Sequence, residues 1–221
     1  MVSVISRNML TADLKRLYKE RKKEIERRLY DFKKFGSYGS EEEIFYELAF
    51  CLLTPQSKAK VCWKAIEDLI KNGIFSTNSK ENIAKNLCGV RFKNNKAEYI
   101  LSLRKSFFDN GVFKIKSRIN SFKNAFETRE WLVQNIKGLG YKEASHFLRN
   151  IGLGDELTIL DRHVLKNLRT YFVIDEIPKF LSKKKYLEIE EEMRNFARKI
   201  NIPLSHLDLL FWSKETGEIF K

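Results

Sequence analysis

The stretch WLVQNIKGLGYKEASHFLRNIGLGDELTILDRHVLKNL, Trp131 to Leu168, decides how the chain is read. A helical pattern ends at Ile136-Lys137, and a second helix starts at Tyr141. Only Gly138-Leu139-Gly140 lies between them. Glycines permit a tight turn with positive φ and let another backbone approach closely. Leu139 between them is placed to pin the two helices together. Such a turn leaves the first amide N–H groups of the second helix without partners. Those amides, together with the helix dipole, suit a phosphate. A lone Gly-x-Gly is also the turn of any αα-hairpin, so the turn by itself leaves phosphate binding open.

Two further residues sharpen the pattern. Lys142 follows Gly140 by two positions, in the first turn of the new helix. A cation is unfavourable there, which favours a neutral amine able to act as a nucleophile. The plainer reading is an exposed surface lysine, one of 42 basic residues. Nineteen positions on, the apolar run Leu157-Thr158-Ile159-Leu160 delivers Asp161 to the start of another helix. Asp161 is read first as an N-cap. A capped carboxylate has a fixed direction and stays ionised, so it can also offset a developing cation or orient a nucleophile.

Outward from this core the pattern is helical nearly throughout. Leu14, Leu17, Tyr18, Ile25, Leu29 and Phe32 recur at helical spacing over 10–34. Ten basic and four acidic residues between Lys15 and Lys34 give that stretch +6, read as a solvated face laced with i,i+4 pairs. Ser40 and Glu43 form a capping box ahead of Ile44–Leu53, a helix apolar all round and so buried. Thr54-Pro55-Gln56-Ser57 breaks it. A helix with Val61/Cys62, Ala65/Ile66 and Leu69/Ile70 follows and ends at Gly73. Further helices are expected over 79–87, 95–109 and 115–125. Thr128 is expected to cap the next, with Trp131, Leu132 and Ile136 inward. The last helices span 161–171, Lys183–Ile200 and 204–212, with Ser213–Gly217 read as a turn.

The chain has 221 residues, of which 43% are hydrophobic and 32% charged, enough for a packed core and too apolar for disorder. Only 10 Gly and 3 Pro leave few turns, which disfavours a sandwich or barrel. No stretch reaches the roughly 20 apolar residues of a membrane span, and the N-terminus does not read as a signal peptide. The expected location is cytoplasmic. A net charge of +13, from 42 basic and 29 acidic residues, points to a polyanionic partner, nucleic acid before membrane. Cys51, Cys62 and Cys88 lie far apart, lack zinc spacing and are expected as buried thiols. His146 and His163 read as structural, and Phe92 and Asn94 as loop packing.

Gly-Leu-Gly-Tyr-Lys-Glu-Ala at 138–144, followed by Ile-Leu-Asp-Arg-His-Val at 159–164, resembles the helix–hairpin–helix–Gly/Pro–Asp superfamily of DNA base-excision glycosylases. Within it the chain is similar to the type-2, mainly archaeal, 8-oxoguanine DNA glycosylases. Leu52–Ser57, Val90–Ala97 and the Lys221 ending carry the likeness beyond the motif, over roughly 40–221. The resemblance implies an all-α fold with two helical lobes around a DNA-binding cleft. It implies one unit over 1–221, with the hairpin motif at about 129–150.

Residue by residue, Lys142 falls at the Schiff-base lysine and Asp161 at the motif's aspartate. Gly138 and Gly140 fall at the hairpin glycines, whose backbone holds a phosphate 3′ of the lesion. Gln56 falls in the loop resembling the family's wedge, which fills the gap left by a flipped base. Trp212 is the candidate for stacking on that base, with core packing as the plainer reading. The family's C-terminal carboxylate reads the lesion's polar edge, which assigns Lys221 here, against a frayed tail. The four-Cys iron–sulfur cluster of the endonuclease III branch is missing, as is the large N-terminal domain of the eukaryotic enzymes.

The implied activity is bifunctional: extrusion and removal of 8-oxoguanine, then β-elimination through a lysine imine. No cofactor or metal is needed for that chemistry, although hairpin carbonyls of this superfamily often hold a monovalent cation, Na⁺ or K⁺. The implied partner is double-stranded DNA containing 8-oxoguanine, bound by a monomer without a membrane and, in a prokaryote, at the nucleoid. A glycosylase of the same fold acting on another damaged base is one alternative, and a non-catalytic DNA-binding hairpin module is another.

Overall fold

A computed structural model describes residues 4–77 and 79–219. Leu14, Ile25, Leu29 and Phe32 line the buried side of one long helix, α1 (Val4–Tyr38), which outruns the expected 10–34 at both ends. Near its C-terminal end α1 crosses the chain at Ile151. A Cβ on Gly36 would collide with the Ile151 carbonyl, so a glycine is what lets the two backbones meet.

Two hydrophobic clusters divide the chain. The first gathers the middle of the sequence: α2 (Glu41–Leu53), α3 (Ala59–Lys71), α4 (Lys80–Asn86), α5 (Lys93–Phe107), α6 (Ile115–Ile119), α7 (Ala125–Asn135) and α8 (Tyr141–Asn150). The second joins the two ends: α1 with α9 (Arg162–Thr170), α10 (Lys183–Ile200) and α11 (Leu204–Thr216). The expected all-α, two-lobed architecture is thus present. The Ser40–Glu43 capping box forms with both bonds made, and α2 buries its whole circumference as its composition requires.

Several local expectations need correction. The helix expected over 95–109 stops at Phe107, because Asn110 (φ 49°) and Gly111 (φ 85°) close a hairpin between β1 (Phe108–Asp109) and β2 (Val112–Phe113). Asn-Gly is a strong hairpin dipeptide, since both central residues take positive φ. The helix expected over 115–125 is only Ile115–Ile119. Asn124, not Thr128, caps α7: its side chain accepts from Glu127 N at 2.9 Å, while the Thr128 hydroxyl donates back to Asn124 O. The residues read as a turn after 212 continue α11 to Thr216, with Gly217 (φ 83°) as its left-handed cap. Lys214 donates to Asn167 Oδ1 and the Tyr171 hydroxyl, and Glu215 pairs with Lys166, so α9 anchors this extra turn. Cys51 and Cys62 are buried as expected, but Cys88 is exposed.

The two clusters are joined by buried charge. Arg129 of α7 meets Glu190 of α10 through two bonds of 2.7 and 2.8 Å, with both side chains only 3% exposed. Arg129 also donates to Ser145 of α8. Glu190 accepts from the Thr158 amide and hydroxyl, and the Tyr186 hydroxyl donates to Thr158 O. Removing one member of such a pair strands the other in a dry interior. Glu190→Ala is therefore expected to lower the unfolding free energy in urea by about 3–5 kcal/mol. A loss below about 1 kcal/mol, the size of an exposed pair, would contradict the geometry.

Candidate active site

The hairpin has the geometry that its glycines anticipate. Gly138 has φ 85°, and a Cβ there would run into the ring of Tyr99. Leu139 is buried in the first cluster, pinning the turn, and its amide donates to Ile136 O at 3.2 Å. Gly140 starts α8 with no side-chain cap, leaving the first amides of that helix without the usual capping oxygen. Lys137, before the turn, bonds Glu98 at 2.6 Å. Lys137 and Lys80 together hold the Glu98 carboxyl below its ordinary pKa through hydrogen bonds and charge.

Lys142 stands in the first turn of α8, its side chain 24% exposed, and pairs with Glu143 at 2.8 Å. Sequence reading missed Glu143, although an acidic residue in a first helical turn favours the dipole and here offsets the misplaced cation. Lys142 also lies in the field of Cys62 and Lys96. Burial raises the Cys62 thiol to about 11, against the opposing pull of those two lysines, and the thiol donates to Leu53 O.

Asp161 is the N-cap of α9, as its position requires. One oxygen, Oδ1, accepts from both His163 N and Val164 N at 2.8 Å, so the cap does not use Oδ2. No hydrogen bond or ion pair joins Asp161 to Lys142. The charge of Asp161 is felt instead by the buried pair Arg149–Asp208, 3.0 Å apart between α8 and α11. Burial is the main cause that lifts Asp208 to about 6, with Arg149 opposing it. Arg149 also donates to Asn150 Oδ1, and Asn150 donates to Glu47 of α2 at 2.6 Å. Helix α8 is thereby tied by polar bonds to α7, α11 and α2.

Gln56 is exposed at the tip of the loop after α2, with φ 55°. The loop is held by Lys96, which the sequence analysis did not single out. Only 4% exposed, Lys96 reaches from α5 to donate to Leu53 O, Pro55 O and Ser57 Oγ. Burial holds its pKa below the ordinary lysine value. Its placement was legible: Lys96 shares a helical face with Ile100, Leu103 and Phe107, an apolar stripe where a cation is out of place. Phe92, expected as loop packing, is exposed at φ 58° just before α5, and Asn94 lies within that helix. Trp212 is half-buried on α11. Lys221 lies outside the described residues.

Comparison with known proteins places this arrangement. A family model described as "8-oxoguanine DNA glycosylase" matches residues 25–202. An 8-oxoguanine DNA glycosylase/AP lyase of Fusobacterium nucleatum is 45% identical over 217 residues, covering 98% of this chain and 100% of the relative. The crystal structure of a Methanocaldococcus jannaschii 8-oxoguanine glycosylase/lyase in complex with a 15mer DNA containing 8-oxoguanine superposes with a TM-score of 0.86. It is 42% identical and covers 96% of this chain and 100% of that one. The 8-oxoguanine DNA glycosylase of Thermotoga maritima superposes with a TM-score of 0.85 at 38% identity, covering 97% and 100%.

Two outcomes test the geometry. Gly138→Ala is expected to lower stability by about 1–3 kcal/mol, the cost of a strained left-handed residue, and to weaken DNA binding. Unchanged melting would mean the turn can relax. The raised pKa of Asp208 makes its ionised form unfavourable in the fold, so its contribution to stability falls as pH rises from about 4 to about 6. A carbon-13 titration of the Asp208 carboxyl is expected to have its midpoint near pH 6, and a midpoint below 4 would contradict the burial.

Proposed function

Because the chain belongs to the 8-oxoguanine DNA glycosylase family, we propose that it excises 8-oxoguanine with Lys142 as the nucleophile and Asp161 as its electrostatic partner. Its activity is that of a bifunctional DNA glycosylase/AP lyase, and its partner is double-stranded DNA containing 8-oxoguanine. The observation that carries the residue assignment is the placement of Lys142. It is a partly exposed lysine in the first turn of a helix without a side-chain cap, directly after the glycine hairpin.

The chemistry follows from those groups. A lesion inside a duplex is reached only by extrusion. Backbone amides at Gly140–Lys142 and the dipole of α8 hold a phosphate beside the lesion without reading sequence. Gln56, exposed on its loop, enters the stack where the base has left. The Lys142 amine attacks C1′, the bond from C1′ to the purine nitrogen breaks, and the base departs with a proton. Asp161 offsets the positive charge that develops on the sugar. Ring opening leaves an imine between Lys142 and C1′, which acidifies the C2′ proton. Loss of that proton expels the 3′ phosphate and nicks the strand.

Trp212, half-buried on α11, supplies a face for the flipped purine. Lys221 contacts its polar edge. The turn's backbone bonds use the carbonyls of Ile136 and Gly140. Those of Lys137, Gly138 and Leu139 would hold a monovalent cation, a role suited to neutral oxygen donors, and its charge would favour an anion there. No described helix is long and apolar enough to cross a membrane. We infer a monomer acting at chromosomal DNA in the cytoplasm of a prokaryote, as one unit over 1–221.

Borohydride trapping on a duplex with one 8-oxoguanine opposite cytosine tests the reading. The native protein is expected to form a covalent adduct, and Lys142→Gln none, with salt-dependent binding kept within about threefold. Asp161→Asn retains a capping oxygen but not the charge, so excision is expected to slow about 100-fold. An adduct with Lys142→Gln would remove Lys142 from its role.

A further inference from the structure

We propose that Lys96 is a positioning residue for base extrusion: its buried ammonium holds the Thr54–Ser57 loop in the shape that presents Gln56 to the DNA stack. The inference rests on the reading of Gln56 as the residue that enters that stack.

The loop needs such a clamp. Pro55 has no amide hydrogen, and Gln56 takes φ 55°, a left-handed backbone that a side chain as long as glutamine rarely adopts. The loop's own bonds are few. Ser57 N donates to Thr54 O at 3.0 Å, and the Thr54 hydroxyl donates to Cys51 O at 2.8 Å. Lys96 adds three more from a helix some forty positions away in sequence: Leu53 O at 2.7 Å, Pro55 O at 2.8 Å and Ser57 Oγ at 3.0 Å. An ammonium has three hydrogens, and all three are used. The acceptors straddle Gln56, two before it and one after.

The first acceptor belongs to the last residue of α2, whose terminal carbonyls lack helical partners and form the negative end of the dipole. A buried cation at that point is solvated by oriented dipoles, not by a carboxylate. Ser57 Oγ also accepts from Arg91 N at 3.0 Å, which ties the start of α5 into the same knot. The one cation therefore couples the end of α2, the Gln56 loop and α5, close enough to Lys142 to share its field.

Extrusion and covalent chemistry can be separated by substrate. A duplex with a pre-formed abasic site has no base to extrude, whereas a duplex with 8-oxoguanine does. Single-turnover excision and borohydride trapping are measured on both, for the native protein, Lys96→Met, Gln56→Ala and the double variant. A 2-aminopurine beside the lesion reports unstacking. Lys96→Met is expected to slow excision of 8-oxoguanine about 30-fold, and unstacking by the same factor, while trapping at the abasic site stays within about threefold. Adding Gln56→Ala to Lys96→Met is expected to cost less than about threefold more, because both act through one loop. Ser57→Ala, which leaves no buried carbonyl without a donor, is expected to give a smaller loss with the same split. It decides the matter if Lys96→Met fails to melt cooperatively. Equal losses on both substrates, or losses that add fully with Gln56→Ala, would overturn the proposal. Failure of the native protein to form any adduct would instead bring down the role of Lys142, a result distinct from either.

Discussion

The buried pair Arg129–Glu190 is the constraint on which the arrangement of the site depends. It spans the two hydrophobic clusters, as the second buried pair Arg149–Asp208 does between α8 and α11. Glu190 also binds the amide and hydroxyl of Thr158, three residues before Asp161. Arg129 binds Ser145, three residues after Lys142. The pair thus sets the distance between the segment that ends in the capping carboxylate of Asp161 and the helix whose first turn carries Lys142. Apolar contacts are non-directional and tolerate sliding. A two-toothed ion pair does not, because a shift of an ångström breaks hydrogen bonds in a medium that offers no substitute.

Helix α8 is held in the same way along its length. Ser145 faces Arg129, Arg149 faces Asp208, and Asn150 faces Glu47. Each partner comes from a different helix, and every one of them is buried. Ala144, Phe147 and Leu148 fill the remaining surface with first-cluster packing. A side chain in the first turn of such a helix, as Lys142 is, inherits the rigidity of the whole element. The hairpin ahead of it contributes the opposite property, an end kept open: no side chain caps the first amides of α8.

The loop carrying Gln56 shows how strain and anchoring are combined. Its left-handed glutamine is exposed, while the atoms on either side are fixed from within by one lysine. The same lysine stands near Lys142. Loops tend to carry function when a rigid scaffold positions them, and here the scaffold reaches the loop through a single buried cation.

Much of this was legible in residue order. Helical periodicity, the Ser40–Glu43 box, the two hairpin glycines, Lys142 behind them and Asp161 as a cap are local facts, set by spacing within a turn or two. So is the Asn110-Gly111 hairpin, which the apolar periodicity around it obscured. Also local is the apolar stripe on which Lys96, Arg129 and Glu190 each sit as an intruding charge. Such a stripe says that a charge is buried, but not what answers it. The partners of Lys96 lie 39 to 43 positions away, and Glu190 lies 61 positions from Arg129. Nothing in a one-dimensional pattern measures that separation. The sequence by itself therefore determined the main helices, the Ser40–Glu43 and Asp161 caps and the open hairpin. Only the tertiary structure decided which buried charges meet, because burying a charge is tolerable only where another part of the chain brings the dipole or counter-charge to it.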